Sequence, residues 1–269
     1  MKGPVVGMIY AFVDLIKEGI DKEIGLMITS DEEQGGFDGV DYLLNEEGFS
    51  CDCAFVPDTG KKNWEICTGE KGVWFVEVES KGKSAHSSRP WEGVNAINEL
   101  WKAYNEIETK FNEVWGEKQK DSVWIPTISL SKIEGGDAFN KVPDKALGRF
   151  DIRFPSEIGL ENIKKIVMNV FKERNVTITS EPVISYGMNT DEQNYFLKKW
   201  IEVLKNKNLK KPEFYKALGG SDSRFFSANG IPVVMCKSKC SDIHIVNEWC
   251  DIEDLEIFRK LVVEWVKSV

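Results

Sequence analysis

Three apolar runs in this 269-residue chain lead into residues that could do chemistry. Ile24–Ile28 runs into Asp31, Glu32 and Glu33; Ala54–Val56 runs into Asp58; Pro232–Cys236 is followed by His244. If each run is a strand of an open α/β sheet, its carboxyl end faces the crevice where such folds bind ligands, and the three sites converge on one rim. Mixed carboxylate and imidazole donors suit a borderline-soft cation such as zinc. Neighbouring Glu32 and Glu33 can then divide the work, one holding the metal and the other taking a proton from water. A metal-free alternative uses Glu32 and Asp58 as the paired carboxylates of a glycosidase. The plain alternative is a solvated acidic turn and a histidine with no chemical role.

Hydrophobic periodicity supplies the elements that must position these residues. The spacing predicts a helix over 5–17 with Val5, Ile9, Phe12 and Ile16 on one face, ended by Gly19. Ile24–Ile28 reads as a parallel strand covered on both faces, followed by a polar turn, a helix near 38–45 and a strand at Ala54–Val56. Alternation then sets in over 73–79, with Trp74, Val76 and Val78 on one face. A long helix through Leu100, Ile107 and Phe111, strands near 124–133 and 147–154, a helix over 160–171 and a strand from Val176 complete the order β-α-β-β-α-β. That order is the ferredoxin-like split unit. A helix with Phe196, Trp200 and Leu204, the Gly219–Gly220 turn, the strand Pro232–Cys236 and a last helix with Leu255, Phe258, Leu261 and Trp265 return to α/β alternation. The expected fold class is therefore α/β, with a discontinuous domain over 1–70 and 182–269 interrupted by a ferredoxin-like unit over 71–181.

Composition excludes several classes. The formal net charge is −9, which argues against a nucleic-acid partner. No run approaches the ~20 apolar residues of a membrane span, so no membrane partner is expected. The apolar stretch after Lys2 is broken by Pro4 and Gly7 and lacks a cleavage site, so it reads as a helix rather than a signal peptide. None of the six cysteines forms a CxxC pair. We read them as reduced thiols of a cytoplasmic protein rather than as a zinc site of Cys236, Cys240 and Cys250.

Six short motifs then occur in a telling order. They are Thr29–Glu33 (TSDEE), Pro57–Gly60 (PDTG), Gly82–Ser87 (GKSAHS), Asn140–Pro143 with Asp151–Arg153 (NKVP and DIR), Gly219–Arg224 (GGSDSR) and His244–Glu248 (HIVNE). This ordered set resembles the di-zinc amidohydrolase and exopeptidase family that includes succinyl-diaminopimelate desuccinylase, acetylornithine deacetylase, aminoacylase and glutamate carboxypeptidase. The resemblance implies a zinc-exopeptidase-like catalytic domain over 1–70 and 182–269, and a lid that also dimerises over 71–181. It implies that Glu32 is the general base and later the proton donor. Glu33 and His244 would hold one zinc or cobalt ion, and Asp58 would help hold the second. His86, from the partner subunit, would stabilise the carbonyl oxygen. Asn140, Arg153 and Arg224 would grip a substrate carboxylate; for Arg153 the residues themselves leave open a salt bridge with Asp151. The implied substrate is an N-acyl amino acid or short peptide, and the implied assembly a homodimer.

The family also uses an upstream histidine in an H-x-D motif and an aspartate that bridges both metals. Neither occurs in this chain, whose only histidines are His86 and His244. The resemblance therefore implies a C-terminal portion of such an enzyme, with partial or no metal occupancy. A separately encoded N-terminal segment would be one further partner. The alternative is a non-catalytic, truncated homologue that keeps lid-mediated dimerisation.

Overall fold

The computed structural model describes residues 2–58, 64–116, 123–207 and 212–269. Thr59 and Gly60 of the PDTG motif lie outside the described residues. The chain divides into two units, Met1–Glu70 with Met188–Val269, and Lys71–Gly187. Among the described residues no helix is long and apolar enough to cross a membrane.

In the first unit, β1 (Ala54–Val56) runs parallel to β7 (Val233–Met235), pairing Ala54 with Val233. β7 meets the start of β2 (Ile66–Lys81) at Cys67–Met235, and β2 in turn pairs in parallel with β6 (Phe214–Ala217). One cluster joins α5 (Tyr195–Asn206) and α7 (Ile252–Ser268) to this sheet. Phe55 packs against it, edge-on to Trp200 at 4.9 Å and to Trp265 at 5.2 Å. A second cluster holds Val40 and Leu44 beside Phe225 and Phe226 of α6 (Ser223–Ala228).

Two expectations need correction here. Helix α1 (Lys2–Lys17) forms, but it buries Pro4, Gly7, Ala11 and Leu15 and leaves Ile16 59% exposed. The reason is close packing on α7: a Cβ on Gly7 would stand 2.9 Å from Leu255 Cδ1. Small residues, not large ones, permit that approach. An ion pair from Asp14 to Arg259 Nε at 2.6 Å ties the same two helices. The second correction concerns Ile24–Ile28. Among the described residues it pairs with no strand, and Met27 and Ile28 are exposed. An apolar run becomes a covered strand only where neighbours accept its backbone hydrogen bonds.

The second unit is an antiparallel sheet in the order β3 (Thr127–Gly135), β4 (Lys145–Pro155), β2, β5 (Val176–Ser185). Trp74, Val76 and Val78 of β2 and Phe150, Ile152 and Phe154 of β4 share one buried face. Against it pack α3 (Ala96–Phe111), through Leu100, Ala103 and Ile107, and α4 (Leu160–Glu173), through Ile163, Val167 and Val170. The Asn95 side chain caps α3 by accepting from the Ile97 and Asn98 amides at 3.0 and 3.2 Å. The intervening strand positions carry charge, as in Arg149–Glu77 at 2.8 Å and Lys145–Glu79 at 2.6 Å.

Candidate active site

The Thr29–Gly36 turn is built to display two glutamates. Asp31 Oδ2 accepts hydrogen bonds from the amides of Asp38 at 2.9 Å and Gly39 at 2.8 Å, which pins the turn to the segment that follows. Gly35 and Gly36 have φ of +104° and +66°, a region that favours glycine. Between these fixed points Glu32–Gln34 forms a single 3-10 turn. Glu33 projects into solvent and Glu32 is half-buried.

The GGSDSR segment braces that turn. Asp222 is buried beside Thr29, whose side chain favours its charged form. It occupies the space that Gly36 leaves free: a Cβ there would lie 2.0 Å from Asp222 Oδ1. Arg224 donates from Nη2 to the Gly35 carbonyl at 2.6 Å and from Nη1 to the Ser221 carbonyl at 3.1 Å. Each terminal nitrogen thus gives one of its two N–H groups to backbone, so Arg224 braces the turn and keeps further N–H groups for the substrate carboxylate that the resemblance implies for it. Gly36→Ala combines positive φ with this overlap. It should cost at least about 1–3 kcal/mol, read as a lowered denaturation midpoint.

Glu32 feels the charges of three further carboxylates. Glu32 is pushed up to about 7, first by burial and then by the charges of Asp58, Asp222 and Glu33, with Arg224 opposing. Burial also raises Asp58, while Lys237 and His244 pull it down. Asp222 rises to about 6, again chiefly through burial. Clustered acids of this kind are relieved by a proton or by a cation.

His244 sits in the loop closed by the two-residue strands β8 (Cys240–Ser241) and β9 (Trp249–Cys250), with φ of +65°. Its Nδ1 lies 3.4 Å from Glu33 Oε1. Two donors each about 2.1 Å from a tetrahedral zinc stand roughly 3.4 Å apart, so the pair fits two corners of such a site. Among the described residues no group of three or more His, Cys, Asp or Glu side chains is gathered to hold a metal ion. The six cysteines are free thiols, and burial pushes Cys236 up to about 12.

Three expected site residues fall in the second unit. The His86 loop is bound to the Asn140 segment: the Ser87 amide donates to the Asn140 carbonyl at 2.9 Å, and the Val142 amide to the Ala85 carbonyl at 2.8 Å. His86 Nδ1 accepts from the Ser88 amide at 3.2 Å, which assigns the proton to Nε2 and leaves an exposed N–H donor. Arg153 makes a two-pronged ion pair with Asp151, at 2.6 and 3.1 Å, and lies over the Phe75 ring. It stands eight residues along β4 from Lys145, beyond the Asn140 end, or roughly 27 Å at strand rise. Within one chain the structure therefore gathers His86 with Asn140, but not Asn140 with Arg153.

The mixed α/β fold with this second unit defines a class: residues 68–179 match the peptidase dimerisation domain. The chain is 31% identical to an uncharacterised metallohydrolase of Methanocaldococcus jannaschii, over 91% of this chain and 65% of that protein. It is 25% identical to succinyl-diaminopimelate desuccinylase of Buchnera aphidicola, over 100% of this chain and 73% of the relative. It is 26% identical to aminoacylase-1A of Rattus norvegicus, over 87% and 60%. A tripeptidase from Staphylococcus aureus superposes with a TM-score of 0.76 at 25% identity, covering 99% of this chain and 69% of that one. An M20 family metallo-carboxypeptidase from Sulfolobus solfataricus shares the fold, with a TM-score of 0.71 at 19% identity over 99% and 75%. The chain is thus a homologue of the succinyl-diaminopimelate desuccinylases and aminoacylases, built on the fold of M20 peptidases and carrying their dimerisation domain. It spans about two thirds of the length of the curated relatives it matches.

Proposed function

We propose that this protein is a metal-dependent hydrolase that cleaves the amide bond of N-acyl amino acids or short peptides bearing a free carboxylate. The observation that carries the reading is the approach of His244 to Glu33 at 3.4 Å beside the half-buried Glu32. Glu33 and His244 would hold one zinc or cobalt ion, and Asp58 would contribute to a second. A bound metal polarises the amide carbonyl and acidifies water. Glu32 takes the proton from the attacking water and returns it to the leaving amine. The partner subunit's His86 donates its Nε2 proton to the carbonyl oxygen as charge develops. The partner subunit's Asn140 holds the substrate carboxylate together with Arg153, whose guanidinium Asp151 already orients, and Arg224. The assembly is a homodimer through the dimerisation domain, working in the reducing cytoplasm that free thiols suit.

One observation favours a second reading, a non-catalytic homologue that retains dimerisation: the absence, among the described residues, of a gathered group of three metal-binding side chains. Substrate hydrolysis separates the two. With zinc or cobalt and a segment carrying the upstream histidine and bridging aspartate both supplied, N-acetyl and N-succinyl amino acids and di- and tripeptides should release free amine. The rate should vanish on chelation, return with zinc, and fall when the substrate's terminal carboxylate is amidated. A rate indifferent to chelation, or none at all with metal bound, rejects the hydrolase.

A further inference from the structure

The most deeply buried carboxylate among the described residues of the first unit is one that this chemistry does not use. Glu70 is 3% exposed, and its Oε2 gathers three donors from one short segment. The Ser221 amide and the Ser221 hydroxyl both reach it at 3.1 Å, and the Ser223 hydroxyl at 2.5 Å. The two hydroxyl oxygens lie 2.9 Å apart, so the contacts form one closed cluster. Between these serines sits Asp222, and after them Arg224, the two side chains that touch Thr29, Gly35 and Gly36. A strand end that needed only packing would take an apolar residue, because a buried carboxylate carries a desolvation penalty. Burial indeed pushes Glu70 up to about 7 against the pull of the serine donors.

We propose that Glu70 is a positioning residue: by clamping Ser221 and Ser223 it fixes Asp222 and Arg224, and through them the Thr29–Gly36 turn that presents Glu32 and Glu33. Its catalytic meaning rests on the proposed hydrolase, but its structural claim does not. The clamp acts at two removes from the reacting atoms. Glu70 touches only the serines, the serines fix the brace, and the brace fixes the turn.

The test compares wild type, Glu70→Met, Glu70→Gln and Ser223→Ala by hydrogen exchange without metal, then by kinetics. Glu70→Met keeps the bulk and removes the acceptor. It should speed amide exchange at least tenfold in the peptides spanning 219–225 and 29–39, including the Asp38 and Gly39 amides, and leave α5 and α7 unchanged. Glu70→Gln keeps an acceptor oxygen and should restore most of the protection. In kinetics Glu70→Met should lower kcat at least tenfold with KM unaltered. Should Glu70→Met not fold, Ser223→Ala removes the shortest contact and should give the same pattern at smaller amplitude. Unchanged exchange over 29–39, with or without a lower melting temperature, overturns the proposal and leaves Glu70 as local packing. Wild-type protein without hydrolase activity would reject the function, while the exchange result would still decide the clamp.

Discussion

Replacing Glu32 with alanine is expected to lower metal-dependent turnover by about 10²–10⁴-fold while the protein keeps its metal. Glu32 lies among Asp58, Asp222 and Glu33, yet it is Glu33, not Glu32, that reaches His244. The two adjacent glutamates therefore differ in surroundings, Glu33 exposed beside the imidazole and Glu32 half-buried. Glu32→Gln should behave like the alanine variant, because the amide keeps the size but cannot take a proton. Glu33→Ala and His244→Ala should lose rate and metal together. Steady-state kinetics with zinc content measured on the same samples resolves the two patterns. Full activity in Glu32→Ala would remove it as the base.

The largest effect on stability is expected at Trp74. Its side chain is fully buried at the centre of the second unit, with Nε1 donating to Glu181 at 2.7 Å and the Lys164 ammonium 5.2 Å from the ring centre. Trp74→Ala removes the apolar volume and leaves a cavity bounded by strand and helix side chains that cannot all relax, a loss of roughly 3–5 kcal/mol. The melting temperature should fall by on the order of 10–20 °C. Trp74→Phe should cost less, since it keeps one aromatic ring and loses only the rest of the indole with its hydrogen bond, the latter about 1 kcal/mol. Equal losses for the two would mean that the hydrogen bond, not the packing, holds this core.

Elements with one covered face were legible because burial imposes a period. Trp74, Val76 and Val78 alternate along β2, and Phe258, Leu261, Val262 and Trp265 recur along α7. Helix α1 misled because periodicity weighs bulk, whereas α7 selects the face with Gly7 and Ala11. Ile24–Ile28 misled because an apolar run does not declare whether a strand lies beside it. β6, β8 and β9 are too short to show a pattern. At the candidate site, Glu32, Glu33, Asp58 and His244 were singled out because acids and an imidazole after apolar runs are visible locally and fall within the ordered motifs. Asp222 and Glu70 were not. Asp222 lay inside a noticed motif and was passed over for Arg224, while Glu70 gains its meaning from Ser221, 151 residues away. Glycines ahead of a serine-aspartate pair, which open a tight turn, were the one local signal for Asp222.

The central claim is that Glu33 and His244 share one metal ion while Glu32 stays off it. Zinc affinity measured by competition with a chelating dye tests this on wild type, Glu32→Ala, Glu33→Ala and His244→Ala. The account predicts that Glu32→Ala binds zinc like wild type. Glu33→Ala and His244→Ala should each bind it more than about 100-fold less tightly, beyond the loss that removing an outer hydrogen-bond partner brings. Equal affinities across all four proteins would contradict it.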